Sequence, residues 1–123
     1  MATKKEREKL HAKEQLLRLL KKGDTIYSVI RHVSRTGMSR RIDFYVFKPN
    51  AAGRVHPYFL TGYMAKVLGY THHRQGGLVV GGCGMDMAFH CVNSLCYALW
   101  GYEDRDAERI EDKSGYQLDS YIL

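Results

Sequence analysis

The sequence predicts an α+β fold, a single small domain in which a mainly antiparallel sheet is packed by a helix. Three observations predict it. Two β-branched and aromatic runs with period-two polarity, "TIYSVIRHV" (25–33) and "RRIDFYVFK" (40–48), flank "SRTGMSR", which reads as a hairpin with a long loop. Residues 85–100 repeat apolar side chains at helical spacing, Met85, Phe89, Val92, Cys96 and Leu99. The chain's 123 residues suffice for one core.

The elements follow in order. "TKKE" at Thr3–Glu6 has capping-box spacing, so a helix starts there, with Leu10, Leu16, Leu17 and Leu20 as its apolar stripe and Gly23 as its stop. This basic N-terminal helix (1–22) either packs on the domain or projects from it as an arm. In the hairpin (25–48), Ile42, Phe44 and Val46 face inward. "PNAAGR" is a turn and "RVHPYF" a short extended piece. "LTGYMAKVLG" is a brief helix with Thr61 as N-cap, Met64, Val67 and Leu68 inside, and Gly69 as stop. "LVV" (78–80) is a short strand before the 85–100 helix. Residues 101–123 form an acidic C-terminal extension, either a short helix or a segment docking through Tyr116, Tyr121 and Ile122.

Composition narrows the function classes. Hydrophobic residues make up 45% and charged residues 26%, as in ordinary globular chains, and no apolar run approaches the roughly 18 residues of a membrane span. No membrane partner is expected. The opening "MATKKEREKL" is charged where a signal peptide is apolar, which predicts the cytoplasm. Cys83, Cys91 and Cys96 are odd in number and two fall in a helical apolar pattern, against a disulfide framework. The net charge of +6 is uneven: +5 over residues 1–22, +4 over 23–60, +1 over 61–100 and −4 over 101–123. A basic front half points to a polyanionic partner, and the acidic stretch to an exposed tail.

Two motifs carry the chemistry. In "RHVSRTGMSRR", Arg31, His32, Ser34, Arg35, Ser39, Arg40 and Arg41 bring guanidinium forks and hydroxyls to one loop, the groups that phosphate recognition uses, and Tyr27 and Tyr45 nearby offer rings for a base. In "VVGGCGMDMAFH", Gly82, Cys83 and Gly84 turn a strand into a helix whose N-terminal N–H groups favour an anion. Asp86 in that first turn opposes a phosphate, and the spacing is not a Walker loop. Asp86, His90, Asn93 and Tyr97 share one helix face. Cys83 at a helix start has the setting of an activated thiol, but His90 lies ~10 Å farther along the axis, beyond a direct couple. Cys83, Asp86 and His90 with His72 and His73 lack the paired spacing of a zinc site, so no metal and no cofactor is expected.

Through "RHVSRTGMSRRIDFYV", the "LGY" after the middle helix and "GGCGMDM", residues 23–100 resemble a group of small phage and prophage proteins of unassigned function. The resemblance implies a genomic setting, in which interference with host defence, as an anti-CRISPR or a nucleotide sponge, is a fitting role. It carries no catalytic residue.

The residues point to binding more than catalysis: a phage accessory protein that grips a phosphate-bearing partner, whether nucleic acid, a nucleotide or the nucleic-acid site of a host defence protein, with self-association open. If the arginine loop and the Gly-rich turn lie on one edge of the sheet, they form one site. The rivals are a small hydrolase or nuclease using Asp86, His90 and Cys83, and a purely protein-binding inhibitor.

Overall fold

The computed structural model describes residues 2–32, 39–81, 84–101, 108–110 and 118–123. Its elements run α1 (Lys4–Leu19), β1 (Thr25–His32), β2 (Ser39–Pro49), β3 (Val55–Phe59), α2 (Thr61–Leu68), β4 (Leu78–Gly81), α3 (Gly84–Trp100), β5 (Glu108–Ile110) and β6 (Leu118–Ile122). The six strands form one sheet in the order β3-β2-β1-β6-β5, with β4 also on β2, and every pairing is antiparallel. The predicted α+β class holds.

β2 is the spine of the sheet. One side pairs with β1, and the other pairs first with β4 (Ser39 to Ile42) and then with β3 (Tyr45 to Pro49). Alternate residues of β2 go to opposite faces. Ile42, Phe44 and Val46 are buried under the helices, as the alternation predicts, together with Ile26 and Ile30 of β1 and Leu78 and Val80 of β4.

At the change of partner, the backbone of Phe44 has no strand opposite it on the side shared by β4 and β3. The start of α2 takes that place: Leu60 N–H donates to Phe44 O (2.8 Å), and Phe44 N–H donates to Thr61 Oγ1 (3.0 Å). The Thr61 hydroxyl in turn donates to Asp43 Oδ1 (3.1 Å). Thr61 is therefore not the N-cap that the sequence predicts. The cap position is Leu60, which makes no side-chain cap bond, because the threonine hydroxyl is committed to the sheet. Gly69 ends α2 in the left-handed conformation (φ 81°), as expected.

α1 begins as predicted, with Glu6 N–H donating to Thr3 Oγ1 (3.2 Å). It packs on the domain, burying Ala12, Leu16 and Leu20, an i, i+4, i+8 line. Leu10 and Leu17 were expected in that stripe and are exposed, since each sits off this line. In α3 the buried line is Ala88, Cys91, Val92, Leu95, Cys96 and Leu99.

In the C-terminal segment the docking alternative holds, through Tyr121. The described part of the segment is not an exposed tail: β6 pairs with β1 inside the sheet and β5 forms an edge. Tyr121 is fully buried and stacks on Phe89 (6.0 Å between centroids), while Leu123 exchanges backbone hydrogen bonds with Gly23 and Asp24. The alternation in "DSYIL" outweighs the acidic average of the segment. Tyr116 lies outside the described residues.

Thr61→Val should cost about 1–3 kcal/mol in a chemical melt, because it leaves the Phe44 N–H buried without an acceptor. Ser28→Ala, at a buried hydroxyl with no hydrogen-bond partner among the described residues, should leave the midpoint within about 0.5 kcal/mol of wild type.

Candidate functional site

The pairings around β2 bring the flanks of the two motifs together. Ser39 is opposite Gly81, Arg40 opposite Val80 and Arg41 opposite Val79, while on the other side Arg41 is opposite Arg31 and Arg40 opposite His32. The hairpin end of β1 and β2 and the glycine end of β4 are thus one end of the sheet. The helix that follows the turn, α3, starts at Gly84. Ser34, Arg35, Gly82 and Cys83 lie outside the described residues, and Arg31, His32, Ser39, Gly84 and Asp86 are placed through their backbone.

Arg40 and Arg41 are strand residues, half-buried, where the sequence reads them as loop charges. Arg41 is held from below by the 71–78 loop. Its Nη1 lies 3.1 Å from His73 Nδ1, which also accepts from Gln75 N–H (3.1 Å). That loop closes through His73 N–H to Gly77 O and Gly76 N–H to His73 O, both 2.9 Å. Gly77 has φ +95°, and a Cβ there would stand 2.6 Å from Arg41 Cβ. The glycine lets the loop pass directly beneath the arginine. The guanidinium is thereby positioned by packing and a hydrogen bond instead of floating on a loop.

His90 is exposed on α3, with Tyr97 also exposed farther along. Cys91 and Cys96 are buried. Burial pushes the Cys91 thiol up to about 11, against a smaller opposing effect of its hydrogen bond with Tyr70. It is a core residue and not a nucleophile. Among the described residues no three or more His, Cys, Asp or Glu gather as metal ligands.

Two features were not singled out from the sequence. The first is the face of the sheet away from the helices. No described element covers it, and it carries Tyr27, Tyr45, Phe47 and Phe59 as one ring cluster. Phe47 is 46% exposed and Phe59 63%. Tyr27 and Tyr45 had been noted as rings near the loop; Phe47 was legible too, since inward Phe44 and Val46 imply outward Tyr45 and Phe47. Phe59 was hidden because "RVHPYF" gives no register by itself. The second feature is a groove of about 600 Å³ between α1 and α2, lined by Lys5, Glu8, Tyr63, Lys66 and Tyr70, with Phe59 at its rim.

These elements define a two-layer α+β protein with one sheet face that no described element covers and an arginine-bearing end. No protein-family model, curated protein or solved structure matches the chain. Among the described residues, no helix is long and apolar enough to cross a membrane.

Gly77→Ala should destabilise by on the order of 2–4 kcal/mol, through its positive φ and the displacement of Arg41. Gly53→Ala, with φ +79° and open space around it, should cost only about 1 kcal/mol on the same urea melts.

Alkylation of the folded protein at neutral pH should leave Cys91 and Cys96 unmodified by peptide mass spectrometry, any label falling on Cys83. The raised Cys91 thiol holds its proton in the folded state beyond the ordinary value of 9.0. Its contribution is therefore complete below about pH 9 and lost as pH rises through about 11. The stability difference between wild type and Cys91→Ala should narrow across that range.

Proposed function

We propose that this chain is a nucleic-acid-binding protein that holds phosphates at the arginine-bearing end of its sheet. The observation that carries the reading is the register that sets Arg31 opposite Arg41 and Ser39 opposite Gly81, so that guanidinium-bearing residues and the glycine turn adjoin one another across three strands. Arginine forks suit phosphate oxygens, and Arg41 is already oriented by His73 and Gly77. The excess of +5 over residues 1–22 and +4 over 23–60 supplies long-range attraction to a polyanion. In the phage setting that the sequence resemblance implies, such a protein would act on the host's or the phage's own nucleic acid, and a counter-defence role is one use of that binding. The hydrolase alternative gains no support from the described residues, since His90 is exposed on α3 and Cys83 lies outside them.

Fluorescence polarisation with short labelled oligonucleotides tests the reading. Affinity should fall steeply as salt rises, because each neutralised phosphate releases counterions. Arg40→Gln with Arg41→Gln should lower the slope of log K against log salt by about 1–2 while a thermal melt reports how much of the fold remains. Absence of binding at low salt would overturn the reading. Gln is preferred to Ala because Arg41 packs on Gly77 as well as carrying charge.

A further inference from the structure

The uncovered sheet face has an ordered arrangement of rings. Tyr27, Tyr45 and Phe59 occupy matching register positions on three adjacent strands, β1, β2 and β3. Their neighbouring centroids are 5.5 and 6.0 Å apart, and Tyr27 and Tyr45 are stacked at 19°. Phe47, two residues along β2, meets both tyrosines edge-on at 5.4 Å. Val55 and Val79 are exposed beside the cluster, at 65% and 37%. A soluble protein seldom leaves four contiguous rings toward water without a use for them.

Two occupants fit this face, and charge chooses between them. A second copy would set like face on like face, each chain carrying +6 and each bringing Arg41 to the end of its patch. A nucleic-acid strand is attracted by the same charge. Arg41 lies on this face four residues from Tyr45 along β2, about 13 Å, and exposed Arg54 follows the β2–β3 turn at the other end of the rings. Cations at both ends with rings between them suit a chain whose phosphates and bases alternate. Duplex bases are already stacked and shielded by their partners; unpaired bases present a π-face to any exposed ring.

We infer that the open sheet face is a stacking platform for unpaired bases, with Phe47 and Phe59 as its most accessible rings, so that the nucleic acid bound is single-stranded. This rests on the phosphate-binding reading and names its substrate class. The arginine end takes the backbone, and the rings beyond it take successive bases without selecting among them.

The test uses the full-length protein with a labelled single-stranded oligothymidylate, an oligoadenylate and a duplex of equal length. Wild type should prefer both single strands to the duplex. Phe47→Ala and Phe59→Ala should each weaken single-strand binding roughly five- to a hundredfold and leave duplex binding unchanged. Because both rings are exposed, the melting temperature should hardly move. Phe59→Leu should bind nearly as poorly as Phe59→Ala, and Phe59→Tyr should restore binding, since the platform requires a π-face and not merely apolar area. If both alanine variants bind single strands like wild type while the Arg40 and Arg41 variants fail, the platform is overturned and phosphate binding stands. Equal affinity for duplex and single strand overturns it as well. Full activity in Phe59→Leu would mark an apolar contact instead of stacking. If the alanine variants alter only subunit count in native mass spectrometry, the face joins two copies. No binding to any of the three probes at low salt removes both proposals.

Discussion

The constraint on which the molecule depends is the divided pairing of β2. Eleven residues of one strand hold β1 on one side and two successive partners on the other, β4 at the arginine end and β3 at the aromatic end. A strand whose partner changes midway exposes backbone groups at the change, and buried backbone groups must be satisfied. Leu60 and Thr61 satisfy them, which seats α2 over the junction and lets one helix link β3 to β4. The helix layer thereby gathers on one face, and no described element covers the other.

That division also organises the chemistry. Because β4 lies beside the first residues of β2, the glycine turn cannot be far from the hairpin arginines. Because β3 lies beside the last residues, Phe59 joins Tyr45 and Tyr27 in a ladder. A single strand therefore carries Arg41 at one end and the rings of Tyr45 and Phe47 at the other, on the face that no described element covers. The inward series Ile42, Phe44 and Val46 is what secures the outward series: slipping the register by one residue would bury Arg41 and Tyr45 and expose the core.

The supporting shell of Arg41 is equally a product of packing. Its position depends on His73 and Gly77, which belong to a loop distant in sequence, His73 being 32 residues from Arg41, and held by its own backbone hydrogen bonds. The "HHRQGG" stretch reads as featureless loop, and its two useful residues acquire meaning only under β2. The same holds for Cys91, which the helical pattern marks as internal but whose hydrogen bond with Tyr70 comes from a neighbouring element.

The sequence by itself determined what local periodicity and capping can encode: the start of α1 at Thr3, the hairpin strands, the inward face of β2, the left-handed stop at Gly69 and the long α3. These depend on neighbours within a few residues, whose spacing in the chain is their spacing in space. It misjudged Thr61, Leu10 and Leu17, and of its readings of the acidic segment the docking through Tyr121 holds in place of an exposed tail, because a nonlocal partner outweighs the local signal. Thr61 serves the sheet before its own helix, and "DSYIL" becomes an interior strand because β1 has a free edge beside it. Only the tertiary structure decided that the arginine and glycine motifs flank one another and that three aromatic residues from separate strands share a level. Pairing partners and register are set by which surfaces bury together, and no single segment of the chain contains that information.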